Sequence, residues 1–160
     1  MSPTEPLSAN PTKSPRAIIF GCAGLRLEPA EYDFFRASNP LGFIVFARNC
    51  DSPTQLARLV ADLRAAVDRP DAPVLIDQEG GRVIRMGAPH WRKPPAAGAI
   101  GALAERNRAA GRRAAWLNAR LISADLHRVG IDVCCLPVLD MQFAGASSVV
   151  GDRAFSANAG

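Results

Sequence analysis

The sequence predicts an α/β fold in which short parallel strands are joined by crossover helices. Apolar runs of strand length, such as PVLI and LGFIVF, alternate with amphipathic stretches of helix length. The predicted order β-α-β-α-β-α-β is typical of parallel sheets. The 160 residues correspond to one domain or to part of one. No apolar run approaches the roughly 18 residues that a membrane helix needs, which excludes a membrane-spanning protein and predicts no membrane partner.

The first half of the chain contains two predicted strands and the helix between them. Residues 1–15 are rich in Pro, Ser and Thr and are predicted to be a disordered lead. The apolar run at residues 17–20 predicts a buried strand that Gly21 ends. A short helix is predicted over residues 29–37, with Pro29 at its start. The run at residues 41–46 predicts the second strand.

The next predicted unit is a helix followed by the third strand. Asp51 or Ser52 is the candidate N-cap, and Pro53 suits the first helical position. The apolar residues of this helix recur at helical spacing; they are Leu56, Leu59, Val60, Leu63 and Val67. Residues 73–76 predict the third strand, which Asp77 ends.

The second half is predicted to hold one loop, one long helix and the fourth strand. A Pro- and Gly-rich loop is expected over about residues 86–98, and the longest helix over residues 105–128, ended by Gly130. Its apolar face is predicted to consist of Ala114, Leu117, Leu121 and Ala124. Residues 131–136 predict the fourth strand, and the tail from residue 142 shows no clear element.

Composition and motifs exclude several classes of function. The net charge is only +4 and aromatic residues make up 6%, so no nucleic-acid partner is expected. Four cysteines without CxxC spacing and two isolated histidines predict neither a disulfide framework nor a metal site. No phosphate-binding glycine motif follows any strand, so no nucleotide cofactor is expected. Free thiols and the absence of a signal-peptide pattern predict a cytoplasmic location.

Three polar segments follow predicted strands, where parallel α/β proteins place their sites. They are Asp77–Arg85, Arg48-Asn49, and Asp140 with the later Asp152-Arg153. If the third strand continued, Asp77 and Glu79 would lie on one face about 6.5 Å apart, a spacing within the range of glycosidase carboxylates. The glycines that follow suggest instead that the strand ends. The alternative is a turn in which Arg82 and Arg85 neutralise both carboxylates.

Two architectures share the predicted element order: an open doubly wound sheet and a (β/α)8 barrel, which needs about 250 residues. The pattern of elements alone favours the open sheet.

Four segments, however, resemble glycoside hydrolase family 3, and in particular its bacterial β-N-acetylglucosaminidases. They are LGFIVFARN (41–49), IDQEGGRV (76–83), LPVLD (136–140) and GDRAFS (151–156). The resemblance extends over about residues 17–157 and implies that residues 16–160 form the N-terminal half of a (β/α)8 TIM-type barrel, about four βα units.

The same resemblance implies the activity and the site. The family hydrolyses terminal, non-reducing β-linked N-acetylglucosamine with retention, which suits peptidoglycan recycling. Asp77 matches the aspartate that holds sugar hydroxyls, and Arg85 and Arg153 match arginines that bind the same sugar; Glu79 and Arg82 are expected to brace the loop. GDRAF departs mildly from the family's Gly-Glu-Arg-Ser-Phe pattern. No cofactor and no metal are expected.

The family's acid–base loop and its nucleophile both follow the equivalent of Gly160, so no catalytic residue is expected within these 160 residues. The chain is therefore expected to be an inactive fragment of the enzyme, or alternatively a non-catalytic sugar-binding remnant. The expected partner is a muropeptide or glycoside containing N-acetylglucosamine. Four strands of an eight-stranded barrel also predict self-association through open edges at residues 17–20 and 131–136. Val74, Ile76 and Val133, or their neighbours, are expected to be partly exposed on the inner face.

Overall fold

The computed structural model describes residues 14–158, so the predicted disordered lead lies outside the described residues except for residues 14 and 15. In this part of the chain, strands and helices alternate as predicted, except that two helices lie between the third and the fourth strand. The elements, in chain order, are β1 (Arg16–Phe20), α1 (Pro29–Ser38), β2 (Pro40–Val45), α2 (Pro53–Ala66), β3 (Val74–Ile76), α3 (Ala97–Arg106), α4 (Arg108–Arg128) and β4 (Val133–Cys134). Short 3-10 turns occur at Ala47–Asn49 and Gly151–Arg153.

The four strands form one parallel sheet in the order β1-β2-β3-β4. Each strand pairs with the next one along the chain; Val45 lies opposite Ile76, which in turn lies opposite Cys134. A doubly wound sheet reverses its strand order at a switch point, and the described strands show no such reversal. The consecutive order is that of a barrel segment, so the open sheet favoured by pattern alone is wrong.

The sequence signals that begin α2 act as predicted. The Ser52 hydroxyl accepts a hydrogen bond from the Gln55 backbone N at 3.3 Å, which makes Ser52 the N-cap. The Gln55 side chain returns to accept a bond from the Asp51 N at 2.9 Å. Four of the five predicted apolar positions are buried, and Ala66 joins them, whereas Val67 is the half-buried C-cap. This helix packs its buried face against the sheet as part of the main core.

The long helix predicted over residues 105–128 is in fact two helices. Asn107 adopts an extended conformation (φ −152°, ψ 99°), and its side chain accepts a bond from the Ala110 N at 3.0 Å, so it caps α4. The segment before it forms α3 from Ala97 onward, which shortens the predicted loop. The predicted apolar face of α4 is also wrong, because Leu117 and Leu121 are 40% and 50% exposed. The buried residues of α4 are Gly111, Ile122 and Leu126.

The core lies between the helices and one face of the sheet. Phe43, Val45, Val74 and Ile76 all have 0% exposure on that face. Val74 and Ile76 are therefore not partly exposed, because they pack in the core with the helices, whereas their neighbour Leu75 is half-buried, within the expectation. The opposite face carries the alternate residues, and there Val133 is 38% exposed, as expected.

The fourth strand and the tail differ from the predicted pattern. The strand β4 has two residues rather than six, because it pairs only with Leu75 and Ile76 of the three-residue β3. The tail, predicted to lack structure, contains the 3-10 turn Gly151–Arg153. None of the described helices combines the length and the apolarity needed to cross a membrane.

Candidate functional site

The site begins where β3 ends, and Gln78 determines the shape of the loop that follows. The buried Gln78 side chain accepts bonds from the backbone N of Arg85 at 2.8 Å and of Met86 at 3.1 Å. Its amide nitrogen donates to the Met86 carbonyl at 2.8 Å. These three bonds tie both ends of the Asp77–Arg85 segment together. This role of Gln78 was not predicted from the sequence, because a polar residue between two acidic ones gives no clear signal of it.

Two glycines seat this loop on the Pro94–Pro95 segment. Gly80 has φ +106°, and a Cβ on it would lie 2.2 Å from the Pro95 carbonyl oxygen. Gly81 has φ +58° and donates its backbone N–H to the Pro94 carbonyl at 2.9 Å. Both the backbone conformation and the close approach therefore require glycine. Since β3 ends at Ile76, the strand alternation that would place Asp77 and Glu79 on one face does not apply.

Asp77 lies at the carboxyl end of β3 and pairs with Arg85. The Arg85 Nη2 donates to the Asp77 Oδ2 at 2.9 Å, and each side chain is 25% exposed. The Arg85 Nε is buried and has no hydrogen-bond partner within the described part of the chain. The backbone N of Cys135 donates to the Ile76 carbonyl at 2.9 Å, which places Cys135, the residue after β4, next to the carboxyl end of β3. Asp77 is therefore a partly open carboxylate that receives one bond, at Oδ2, from Arg85.

Sequence reasoning gave the neighbouring thiol, Cys135, no role. Cys135 is exposed. Desolvation raises the pKa of this thiol, and its interaction with Asp77 raises it further. The thiol is therefore protonated near neutral pH.

Glu79 is buried and bound by Arg153 of the tail. The Nε and Nη2 atoms of Arg153 donate to Oε2 and Oε1 of Glu79, both at 2.8 Å. Glu79 is 8% exposed. The hydrogen bond to Glu79 raises the pKa of Arg153, and the charges of Glu79, Asp140 and Asp77 act in the same direction. Arg153 therefore links the tail to the segment that follows β3.

Arg82 binds the tail next to Arg153. Its Nε donates to the Asp152 Oδ1 at 2.9 Å, and its Nη2 donates to the carbonyls of Ser148, Val149 and Val150 at 3.0, 2.6 and 3.1 Å. The turn considered as the alternative from sequence is thus partly right. Arg85 neutralises Asp77, but Glu79 is neutralised by Arg153 and not by Arg82.

The second strand-end segment, Arg48-Asn49, stabilises the turn after β1. The buried Asn49 donates its side-chain amide to the carbonyls of Cys22 at 3.2 Å and Gly24 at 2.7 Å. The Arg48 Nε also donates to the Cys22 carbonyl, at 3.0 Å, and its guanidinium lies over the Phe46 ring. Burial raises the pKa of Cys22 to about 11. The Arg48-Asn49 segment therefore stabilises the turn after β1, and the Cys22 thiol in that turn is protonated.

Fold and site together define an α/β domain of the barrel type, with carboxylates and arginines assembled at the carboxyl ends of its parallel strands. The model of the glycosyl hydrolase family 3 N terminal domain matches residues 35–160. The chain belongs to this family.

Named relatives agree with this assignment. A β-hexosaminidase of Methylococcus capsulatus is 40% identical over 138 residues, which are 86% of this chain and 39% of that protein. NagZ from Neisseria gonorrhoeae, solved in complex with N-trifluoroacetyl-D-glucosamine, superimposes with a TM-score of 0.82 at 32% identity, covering 90% of this chain and 43% of that one. A family 3 β-N-acetylglucosaminidase from Paenibacillus sp. gives a TM-score of 0.67 at 28% identity, covering 77% of this chain and 23% of that one. The chain thus spans less than half the length of these relatives.

Proposed function

We propose that this chain carries the sugar-holding part of a β-N-acetylglucosaminidase, which hydrolyses terminal, non-reducing β-linked N-acetylglucosamine. The observation that carries the proposal is that Asp77 pairs with Arg85, and Arg153 of the tail pairs with Glu79, in the segment that follows β3. The names of the relatives, β-hexosaminidase and NagZ bound to an N-acylglucosamine, support it.

The chemistry of the three side chains suits a polyhydroxy ligand. An ionised carboxylate accepts about four hydrogen bonds, and the Asp77 Oδ2 receives one from Arg85. The remaining lone pairs can accept sugar hydroxyls in charge-assisted bonds, each contributing about 1.5–3 kcal/mol. The Arg153 Nη1 makes only a 3.4 Å contact with the Val149 carbonyl, so it keeps donors for the ligand.

Glu79 is not proposed as the catalytic acid, because both of its oxygens accept bonds from Arg153. According to the family resemblance, the acid–base group and the nucleophile of the retaining mechanism lie in a part of the family's sequence that these 160 residues do not include. We therefore propose that the 160-residue polypeptide binds N-acetylglucosamine but does not hydrolyse it. Peptidoglycan recycling in the cytoplasm belongs to the same proposal, and four free thiols are in keeping with a reducing compartment.

Binding measured by NMR titration with methyl β-N-acetylglucosaminide tests the proposal. Asp77→Asn keeps the shape of the side chain but removes its charge, and loss of one charge-assisted bond of about 1.5–3 kcal/mol is expected to weaken binding roughly tenfold or more. Asp62→Asn is the matched control, because its carboxylate lies on α2 in an exposed pair with Arg58. Equal affinity of the Asp77 variant and the wild type would refute the assignment. Turnover of a chromogenic N-acetylglucosaminide by the purified chain would refute the absence of catalytic groups.

A further inference from the structure

The two acidic residues that follow β3 differ in their exposure to a ligand. Asp77 keeps a quarter of its side chain exposed, whereas Glu79 is buried and has both oxygens engaged by Arg153. We propose that Glu79 is a positioning residue for sugar recognition that acts only through Arg153. This inference rests on the proposed sugar-binding function of Arg153.

Arg153 needs such a partner because of its place in the fold. It belongs to the 3-10 turn Gly151–Arg153 in the tail, outside the sheet, and lies 74 residues from Glu79 in the chain. Glu79, in contrast, follows β3 closely, and its backbone N donates to the Val83 carbonyl at 3.0 Å. The Glu79 carboxylate thus holds the Arg153 side chain of the tail in a fixed position relative to the loop that follows β3.

The two parallel bonds also determine which edge of the guanidinium remains available. A bidentate pair fixes the guanidinium plane as well as its distance. Nε and Nη2 of Arg153 each donate one bond to Glu79, so the spare donors are the second N–H of Nη2 and those of Nη1, one of which makes the long contact with the Val149 carbonyl. A lysine could not reproduce this geometry, because its ammonium is a point charge without a planar fork. An amide at position 79 could accept only one of the two bonds with its oxygen.

A second ion pair holds the backbone of the same turn. Arg82 bonds Asp152 and three carbonyls of residues 148–150, and both side chains are about half exposed, at 48% and 51%. The two contacts have separate tasks: Arg82 fastens the turn, and Glu79 orients the side chain of Arg153. Asp152→Asn is therefore a suitable comparison, since it weakens an ion pair of the turn and leaves the Glu79–Arg153 bonds in place.

The test is a double-mutant cycle in the 160-residue chain, with methyl β-N-acetylglucosaminide as the probe in NMR titrations. Glu79→Gln is expected to weaken binding about tenfold, and Arg153→Gln at least as much. Because Glu79 acts through Arg153, the double variant should bind no more weakly than Arg153→Gln alone. Glu79→Asp, which keeps the charge, should recover part of the affinity. Asp152→Asn should change affinity less than threefold.

A second readout, the Arg153 side-chain Nε–H signal, separates failure of this inference from failure of the proposed function. In the wild type this proton should be protected from exchange, and the protection should disappear in Glu79→Gln. Additive losses in the cycle, or unchanged affinity of Glu79→Gln, would overturn the positioning role. Absence of sugar binding by the folded wild type would overturn the proposed function, whether or not Nε–H is protected. If Glu79→Gln does not fold, Glu79→Asp decides: wild-type affinity together with lost Nε–H protection would overturn the inference.

Discussion

A glycine-to-alanine substitution inside a helix usually stabilises a protein, but at a buried glycine of α3 we expect it to be destabilising. Gly101 lies inside α3 and is packed directly against the backbone of Phe155. A Cβ at this position would lie 1.6 Å from the Phe155 carbonyl oxygen and 2.7 Å from its carbonyl carbon. Phe155 follows the turn that contains Arg153, so a change at Gly101 should reach the proposed sugar site through the tail.

Two opposing effects set the expected magnitude. Alanine in a helix interior is favoured over glycine by about 1 kcal/mol. Against this, carbon and oxygen approach no closer than about 3.3 Å even in close C–H···O contacts, so helix and tail must separate by roughly 1.5 Å or more. Overpacking of this kind costs about 1–3 kcal/mol, and occasionally more. Because a backbone carbonyl cannot rotate away as a side chain can, we expect the clash to exceed the gain in helix propensity.

Thermal unfolding of Gly101→Ala should therefore show a lower Tm, by about 2–4 °C for each kcal/mol lost in a chain of this size. Sugar affinity should fall as well, because the displaced tail carries Arg153. Gly98→Ala is the matched control in the same helix, since its Cβ would lie 3.4 Å from the nearest carbonyl oxygens, an ordinary contact. An unchanged or higher Tm for Gly101→Ala, with sugar affinity retained, would refute the packing of the tail on α3.

Three further predictions concern thiols, capping and association. At pH 7 iodoacetamide should modify the exposed Cys135 well before the buried Cys22, and the Cys135 rate should rise as pH approaches its raised pKa; equal rates by mass spectrometry would contradict this. Ser52→Ala removes the α2 N-cap and should lower stability to urea by about 1 kcal/mol; an unchanged midpoint would argue against the cap. The chain should self-associate through Arg16–Phe20 and Val133–Cys134, the end strands of the sheet; light scattering that gives a uniform 17.0 kDa monomer would exclude this.

The first three strands were predictable to within one residue because their apolar runs are short and bounded by proline, glycine or charge. The length of β4 was not predictable in the same way. Its apolar run spans six residues, but a parallel strand extends only as far as its neighbour offers backbone groups, and β3 has three residues. Strand length is therefore a property of the pair, whereas the apolar run belongs to one segment.

The helical region shows a different limit. In α4 two sets of apolar residues are each spaced four apart, Leu117 with Leu121 and Ile122 with Leu126, and periodicity alone cannot decide which set faces the core. Packing in the main core with the sheet and α2 buries the second set. The break at Asn107 was visible in principle, because asparagine favours N-caps over helix interiors. Because the amphipathic spacing continues on both sides of Asn107, the sequence pattern predicted one uninterrupted helix.

Some features of the candidate site can be predicted from the local sequence, whereas others depend on the tertiary structure. The segment after β3 shows from sequence alone that carboxylates, glycines and arginines gather at a strand end. It does not show that Glu79 pairs with Arg153 across 74 residues, since this depends on where the tail returns. That pairing makes the two carboxylates unequal. A buried carboxylate engaged at both oxygens is poorly suited to accept sugar hydroxyls or to transfer a proton, whereas Asp77, bound at Oδ2 by Arg85 and partly open, can accept a ligand. The proposed distinction between a residue that binds sugar and a residue that positions Arg153 thus depends on the return of the tail, which is also why Gly101, far from Asp77 in sequence, is expected to influence binding.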